Sequence, residues 1–219
     1  MKKRIICFGD SNTWGYDPAT GGRYDEDTRW PMALQKMLGD GYQIIEEGQN
    51  GRTIANPDPY EWGCKCGMDY ILPMVESHKP FDMLIIMLGS NDLKAKFHLP
   101  AGDIAGSLQN MLMKTTAFLK HQCGIDPKIL IVSPPHLGDD LATSPFAPFF
   151  EPEKAVRNSK DLAYWSELVA KQFDCSFLDA AAVCRAGEAD SLHLTAQGHK
   201  DLAEAIFLKI RGMSSDSNS

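Results

Sequence analysis

Two short segments far apart in the chain carry the residue types that nucleophilic catalysis requires. Residues 9–15 (GDSNTWG) place Ser11 in a tight, glycine-flanked turn directly behind an apolar run. Residues 190–193 (DSLH) supply a carboxylate, Asp190, and an imidazole, His193. A serine becomes a nucleophile when a base lies within hydrogen-bond reach and a third group orients that base. Ser11, His193 and Asp190 are therefore the candidate nucleophile, base and acid.

Each of the three side chains also has a purely structural interpretation. Ser11 could satisfy backbone donors in a turn, Asp190 could cap the last helix, and His193 could be an ordinary surface histidine. Thr195 is better placed as that helix cap, which leaves Asp190 free. No other histidine combines a nearby carboxylate with a position behind a predicted strand as clearly as His193, and His199 is expected to be structural.

Hydrogen-bond donors for a tetrahedral oxyanion are available in two further segments. Residues 48–53 (GQNGRT) contain two glycines whose backbone amides can approach a ligand closely. Residues 89–92 (GSND) supply the side-chain amide of Asn91. A side-chain donor of this type is worth about 3 to 4 kcal/mol in the transition state. Glycine and asparagine are also the commonest turn residues, so neither segment alone indicates an oxyanion hole. The prediction of a catalytic site depends on the four segments 9–15, 48–53, 89–92 and 190–193 occurring in one chain.

The hydrophobic pattern predicts the elements that must position these segments. Nearly continuous apolar runs of strand length occur at 4–8, 42–45, 83–88, 128–132 and 175–178. Such runs are typical of strands that are buried on both faces of a parallel sheet. Helical patterns lie between them, at 30–38, 68–75, 104–119, 162–173 and 202–210. The alternation predicts an α/β fold of three layers, α/β/α, with helices on both faces of about five parallel strands.

Ligands of such a sheet bind beyond the carboxyl ends of its strands, where all four segments lie. The connection 133–152 leaves the same edge, and its length indicates a functional role. Its aromatic residues Phe146, Phe149 and Phe150 could plug a satellite core, form a subunit contact, or form the wall or lid of an acyl pocket. The candidate substrate-binding residues at this edge are Asp10, Asn12, Trp14, Phe146 and Phe150.

Composition excludes several classes of function. The 219 residues include 22 Lys and Arg against 29 Asp and Glu, a net charge of −7, whereas nucleic-acid binding is built from an excess of basic residues. No apolar stretch approaches the length of a membrane span, about 18 residues. Six cysteines without a disulfide framework indicate reduced thiols. We expect a cytoplasmic protein without nucleic-acid or membrane partners, with one domain over 1–212 and a polar tail over 213–219.

Cys64 and Cys66 raise the question of a metal site. Structural zinc pairs usually have at least two intervening residues, and no second cluster of cysteine or histidine follows here. We therefore expect no metal at this position.

The four segments, taken in order, resemble the four signature blocks of the SGNH or GDSL-type hydrolases. Residues 9–11 (GDS) match the nucleophile block, Gly51 the glycine block, residues 89–92 the asparagine block, and residues 190–193 the block of acid and base. The runs at 6–15, 45–48 and 88–92 are most similar to the bacterial arylesterase and acyltransferase branch. Asn12 stands where the GDSL motif has leucine, so the substrate preference of that branch does not transfer directly.

The resemblance implies a flavodoxin-like sheet and a Ser11, Asp190 and His193 triad that works without a cofactor or a metal. It also implies an oxyanion hole formed by the amides of Ser11 and Gly51 and the side chain of Asn91. The implied activity is hydrolysis of a small-molecule aryl or acetyl ester through an acyl-enzyme, with transfer of the acyl group to alcohols as a further reaction. A carbohydrate O-acetyl esterase, or a lipase-type or lysophospholipase-type hydrolase, is an alternative. The branch tends towards homo-oligomers, and residues 146–150 are a candidate contact.

Two other classes of protein compete with this interpretation. In a flavodoxin-like flavin- or nucleotide-binding protein, Ser11, Asn12 and Thr13 could line a phosphate. Asp10 would repel that phosphate, and the sequence has neither a full GxGxxG motif nor a Walker lysine pattern. A non-catalytic module that binds carbohydrate or acyl groups is the other class, and the intact triad residues argue against it.

Overall fold

The computed structural model describes residues 2–215, and its centre is a five-stranded sheet in which all neighbouring strands are parallel. The strands are β1 (Lys3–Gly9), β2 (Tyr42–Gly48), β3 (Met83–Met87), β4 (Lys128–Ser133) and β5 (Ser176–Asp179). Their order across the sheet is β2-β1-β3-β4-β5. The predicted α/β fold with five parallel strands is confirmed.

Helices separate the strands along the described part of the chain. They are α1 (Ser11–Trp14), α2 (Trp30–Leu38), α3 (Gly67–His78), α4 (Ala101–Phe118), α5 (Pro152–Gln172) and α6 (Ala196–Ser215). None of the helices within residues 2–215 is both long enough and apolar enough to cross a membrane.

The last helix corrects the predicted start of the polar tail at residue 213. Helix α6 continues to Ser215, and Met213 packs against the apolar core beside it. The Met213 carbonyl also accepts a hydrogen bond from Lys128 Nζ at 2.9 Å. These contacts extend the ordered chain beyond residue 212, while residues 216–219 of the predicted tail lie outside the described residues.

The two faces of the sheet carry separate apolar cores, because successive strand residues point to opposite sides. In β3, Leu84 and Ile86 join a core with α3, α4 and α5. Met83, Ile85 and Met87 join a second core with α2 and α6. Burial on both faces explains why the strands are recognisable as continuous apolar runs and confirms the three layers.

Strand β2 is longer than predicted and lies at the edge of the sheet. It continues from residue 42 to Gly48, three residues beyond the predicted end, and its side chains are only partly buried. Glu46 and Glu47 are accommodated there because each has a partner: Arg29 Nη2 lies 2.8 Å from Glu46, and His78 Nε2 lies 2.7 Å from Glu47. A search for apolar runs ends the strand before such paired carboxylates, because it counts only apolar residues.

The strand order reverses between β1 and β3, since the chain first adds β2 on one side of β1 and then β3 on the other. The carboxyl ends of strands at such a reversal border a crevice where ligands bind. Ser11 follows β1, and Asn91 begins a short 3₁₀ turn shortly after β3. The topology therefore brings two of the predicted site residues to one crevice.

Candidate active site

Ser11 is the first residue of α1, in a turn that only glycine at position 9 allows. A Cβ atom on Gly9 would lie 2.0 Å from Thr13 Oγ1 and 2.8 Å from the carbonyl oxygen of Met87. Asp10 caps the helix by accepting a hydrogen bond, 3.0 Å long, from the backbone N–H two residues on. The turn thus holds Ser11 at the carboxyl end of β1.

The structure brings Ser11, His193 and Asp190 into one chain of hydrogen bonds. Ser11 Oγ lies 2.9 Å from His193 Nε2, and His193 Nδ1 lies 2.6 Å from Asp190 Oδ2. The three residues are 6%, 4% and 2% exposed, respectively. A carboxylate on Nδ1 keeps the proton on that nitrogen, so Nε2 is the acceptor for the Ser11 hydroxyl. This geometry can move the hydroxyl proton onto the imidazole.

Asp190 is held as a carboxylate. Burial raises its pKa, but the hydrogen bond from the His193 ring, the proximity of that ring and the backbone N–H donors outweigh burial and bring the pKa below its usual value. Those donors are the N–H groups of Leu192, at 3.0 Å, and His193, at 2.9 Å. Thr195 caps α6 as predicted, because its Oγ1 accepts from the Gly198 N–H at 3.1 Å.

The connection 133–152 supports the loop that carries Asp190. The Gly138 N–H donates to the Ser191 carbonyl at 2.8 Å, and the Ser144 hydroxyl donates to the Asp190 carbonyl. Ser191 has a left-handed φ of 58°, and a Cβ atom on Gly138 would lie 2.8 Å from the Cβ of Ser191. The connection 133–152 is therefore hydrogen-bonded to the loop that carries Asp190 and His193, and it stabilises the left-handed turn at Ser191.

The three predicted oxyanion donors lie on neighbouring segments. Asn91 Nδ2 donates to the Arg52 carbonyl at 3.1 Å, which joins the segment after β3 to the turn after β2. Gly51 lies in that turn with a φ of 78°, a conformation that favours glycine. Within residues 2–215, neither the Ser11 amide nor the Gly51 amide donates a hydrogen bond to another group. Both amides therefore keep an unused donor within the described residues.

Asp10 and Asn12, predicted to bind substrate, have scaffold contacts in the structure. Both side chains are buried in the scaffold, with the residues 1% and 2% exposed. Asn12 Oδ1 accepts from the Leu194 N–H at 2.9 Å, and Asn12 Nδ2 donates to the Leu192 carbonyl at 3.4 Å. Through these hydrogen bonds Asp10 shapes the Ser11 turn and Asn12 joins that turn to the His193 loop.

The three aromatic residues predicted to bind substrate have different positions. The Phe146 ring lies edge-on to the His193 ring with the centroids 5.4 Å apart. Phe150, also predicted to bind substrate, is 6% exposed and packs in the core on the α4 and α5 side. Trp14 is half-buried, with the Arg23 guanidinium 5.2 Å from the ring centroid. Phe146 is therefore the one of the three that lines the base.

Tyr16 contacts the base and was missed by the sequence analysis. Its ring centroid lies 4.2 Å from that of His193, with 39° between the ring planes, and it meets Phe146 edge-on at 6.3 Å. Gly15, with a φ of 89°, turns the chain at the end of α1 just before Tyr16. The signal in the sequence that could have identified Tyr16 was its position directly after the GDSNTWG segment.

A buried cation lies below the candidate site. Arg52 is 3% exposed, and its guanidinium carbon lies 4.5 Å from the ring centroid of Phe8 and 5.0 Å from that of Tyr70. Burial raises the pKa of Asp10 to about 6, against the lowering effects of its backbone hydrogen bonds and of nearby His193 and Arg52. The Asp10 carboxyl beneath Ser11 therefore binds a proton more readily than an exposed aspartate.

The cysteines form no bond with one another. All six are free thiols, and Cys64 Sγ lies 3.7 Å from the carbonyl oxygen of Cys66. No group of three His, Cys, Asp or Glu in the described part of the chain could hold a metal ion.

The chain matches one protein family over most of its length. The GDSL-like lipase/acylhydrolase family matches residues 7–200. An acetylxylan esterase from Xylanibacter ruminicola is 24% identical over 215 residues, which is 95% of this chain. The chain spans 43% of the length of that relative.

Solved structures resemble the chain along nearly its whole length. A carbohydrate acetylesterase family member from Sinorhizobium meliloti is 34% identical with a TM-score of 0.88, covering 96% of this chain and 98% of the other. The native aryl esterase of M. smegmatis is 32% identical with a TM-score of 0.84, covering 96% and 99%. With its fold, its hydrogen-bonded Ser11 and His193, and its match over residues 7–200, the chain belongs to the GDSL-like lipase/acylhydrolase family.

Proposed function

We propose that the chain is a serine esterase that cleaves esters of short acyl groups through an acyl-enzyme. Membership of the family makes it a carboxylic ester hydrolase. The observation that carries the proposed mechanism is the hydrogen-bonded chain from Ser11 through His193 to Asp190, with distances of 2.9 and 2.6 Å. These are the distances and the order of groups that activate a serine hydroxyl.

In the proposed acylation step, Ser11 Oγ attacks the ester carbonyl while His193 Nε2 takes the hydroxyl proton. The carbonyl oxygen becomes an oxyanion, which the amides of Ser11 and Gly51 and the Asn91 side chain stabilise. The imidazolium then gives its proton to the leaving alcohol, and the acyl group stays on Ser11. Asp190 stabilises the imidazolium without accepting its proton.

In the second step, water attacks the acyl-enzyme and His193 takes its proton, so that the acid leaves and Ser11 regains its hydrogen. An alcohol can replace water in the same position, and the acyl group is then transferred instead of hydrolysed. We include this acyl transfer in the proposal because water and an alcohol attack the carbonyl carbon of the acyl-enzyme in the same way.

For the substrate we propose acetyl and other short esters of aryl or carbohydrate alcohols. The Tyr16 and Phe146 rings stand 4.2 and 5.4 Å from the His193 ring, and these bulky side chains limit the space beside the base. The names of the relatives, an acetylxylan esterase, a carbohydrate acetylesterase family member and an aryl esterase, support the same choice.

Nothing in the site favours the alternative of a nucleotide-binding protein. The Asp10 carboxylate caps the N-terminus of α1, where a phosphate would bind, and the helix has only four residues. A negative group in that position repels a phosphate.

The proposed function is tested with 4-nitrophenyl esters from acetate to octanoate and with acetylated xylan. We expect turnover of the short esters, and a loss of roughly 10³-fold or more for Ser11→Ala, the scale of removing a triad nucleophile. Ser107→Ala is the matched control, since among residues 2–215 the Ser107 hydroxyl bonds only within α4, to the Asp103 carbonyl at 3.2 Å. Full activity of folded Ser11→Ala would contradict the mechanism, and a preference for octanoate would contradict the proposed acyl length.

A further inference from the structure

The peptide unit between Asn50 and Gly51 is held by a lysine. Lys65 Nζ donates a hydrogen bond to the Asn50 carbonyl oxygen at 2.7 Å. The peptide is trans, so this carbonyl and the Gly51 N–H, which belong to the same planar unit, point in opposite directions. The ammonium group therefore fixes the side of the peptide on which the Gly51 N–H emerges, away from Lys65.

Lys65 is itself anchored to this turn. Its backbone carbonyl accepts from the Thr53 N–H at 2.9 Å, and Thr53 pairs with Cys66 in a short parallel bridge. The Lys65 side chain is 11% exposed, and its Nζ lies 3.9 Å from Glu61 Oε2. Since both ends of the residue are tied down, the ammonium group has little freedom to leave the Asn50 carbonyl.

Glu61 connects Lys65 and the Gly51 turn to the segment that carries Asn91, another of the three predicted oxyanion donors. A Cβ atom on Gly51 would lie 2.1 Å from Glu61 Oε2 and 3.4 Å from Lys65 Cε, so the two side chains occupy the space that glycine leaves open. Glu61 Oε1 also pairs with Lys94, which lies three residues after Asn91 and whose side chain is 7% exposed. One carboxylate thus bridges the segments of Gly51 and Asn91.

We propose that Lys65 is a positioning residue of the oxyanion hole, which orients and polarises the Gly51 N–H through the Asn50 carbonyl. A charge-assisted hydrogen bond is stronger than a neutral one, and hydrogen bonds in sequence polarise one another. A carbonyl that binds a cation makes the N–H of its own peptide a better donor. This role rests on the proposed function, because it requires an oxyanion to be stabilised.

A stronger donor stabilises the oxyanion more than the neutral ester carbonyl, so Lys65 should act on kcat and leave KM nearly unchanged. We expect Lys65→Met to lower kcat for 4-nitrophenyl acetate about tenfold, less than the 10² to 10³ found for removing a whole donor. Lys65→Arg keeps the charge and the donor and should stay within about threefold of wild type. Lys36→Met, which removes an exposed lysine paired with Asp27, is the control and should leave kcat unchanged. Active sites are counted by end-point titration with a fluorophosphonate, so that unfolded protein does not enter kcat.

Inhibition by phenylboronic acid gives a second readout that a general structural disturbance would not reproduce. Its boron forms a tetrahedral adduct with a serine oxygen and places a hydroxyl at the oxyanion position, so its KI should rise in Lys65→Met by the same factor as kcat falls. Lys65→Gln, which keeps a neutral N–H donor, replaces Lys65→Met if the latter does not fold, and should have an intermediate kcat.

The outcomes separate the role of Lys65 from the proposed function. Wild-type kcat and KI in Lys65→Met, or in Lys65→Gln if it takes that place, would overturn the role of Lys65 while leaving the esterase intact. Equal losses in Lys65→Met and Lys65→Arg would also overturn it, since the charge would then not matter. A wild-type protein without esterase activity would overturn the proposed function and the role of Lys65 together.

Discussion

Asn12 Oδ1 accepts a hydrogen bond from the Leu194 N–H at 2.9 Å, so the residue next to the candidate nucleophile holds the residue next to the candidate base. Asn12 Nδ2 also donates to the Leu192 carbonyl at 3.4 Å, on the other side of His193. One side chain therefore brackets His193 and sets the position of its loop against the Ser11 turn. This gives Asn12 a structural reason to stand where the GDSL motif has leucine.

Asn12→Leu should lower kcat/KM about tenfold, because the His193 loop loses both hydrogen bonds to the Ser11 turn. The Leu194 N–H would be left buried without a partner, which costs about 1 to 3 kcal/mol of the free energy of unfolding. Kinetics with 4-nitrophenyl acetate and urea denaturation measure the two effects. Asn158→Leu is the control, since Asn158 also bonds a backbone carbonyl, that of Leu99 at 3.3 Å.

We expect Asn158→Leu to change stability only. If folded Asn12→Leu retained the kcat/KM of wild type, the link between the two segments would have no role in positioning the base.

Phe146 and Phe150 should respond differently to replacement by alanine. Phe150 is buried in the core, so Phe150→Ala should lower the free energy of unfolding by about 3 to 5 kcal/mol. Phe146 borders the His193 ring, so Phe146→Ala should widen the space beside the base and shift the preferred 4-nitrophenyl ester to a longer acyl chain. The chain-length series and urea denaturation measure both. An unchanged preference in Phe146→Ala would show that this ring does not border the acyl group.

Local sequence patterns sufficed to predict the existence of the five strands and to select Ser11, His193 and Asp190, which the structure joins by hydrogen bonds. Burial on both faces leaves continuous apolar runs, and each of the three residues lies directly behind such a run or in a short motif. The different positions of Phe146 and Phe150 could not be predicted from local patterns. A short 3₁₀ turn between them, Ala147–Phe149, decides that Phe146 contacts the His193 ring and Phe150 packs in the core.

Contacts between distant segments were not predictable from one sequence. Lys65 lies 15 positions from Asn50, and its hydrogen bond depends on how the turn after β2 folds back on itself. Asn12 was predicted to bind substrate from its place beside Ser11, but its hydrogen-bond partner Leu194 lies 182 positions away and could not be identified in this way. The residue types carry the chemistry, but tertiary packing decides which of them meet.

His199 should make the protein less stable in acid. Burial, with smaller contributions from His193 and Arg29, lowers its pKa from 6.5 to about 4. Between these values the unfolded chain binds a proton that the folded chain does not, so the free energy of unfolding falls by about 3 kcal/mol as the pH falls from 6.5 to 4. His199→Asn keeps an acceptor for the Trp30 N–H, which His199 Nδ1 binds at 3.3 Å, and cannot be protonated.

Urea denaturation at pH 7 and pH 4.5 tests this effect. The stability of His199→Asn relative to wild type should increase at the lower pH. An unchanged difference between the two proteins would mean that His199 is not a source of acid sensitivity.

Asp92 should have the opposite pH dependence. Burial, with a contribution from Asp10 and against hydrogen bonds from Ile54 and Asn56, raises its pKa from 3.8 to about 7. The folded chain keeps a proton over this range that the unfolded chain has lost, so stability falls by about 4 kcal/mol as the pH rises from 3.8 to 7. Asp92→Asn, neutral at every pH, should gain stability relative to wild type as the pH rises from 4 to 7.5.

The exposed Asp126 provides the matched control, because Asp126→Asn removes a carboxylate that remains in water. Urea denaturation across the pH range should show no comparable gain for that variant. If Asp92→Asn and Asp126→Asn behaved alike, Asp92 would be ionised in the folded protein.

The identity of the nucleophile is tested most directly by locating a covalent label. A fluorophosphonate phosphonylates an activated serine, and intact mass followed by peptide mapping finds the labelled residue. We expect one adduct per chain, on the peptide that contains Ser11, and none in Ser11→Ala. A single adduct on another residue, or full labelling of Ser11→Ala, would contradict Ser11 as the nucleophile of this esterase.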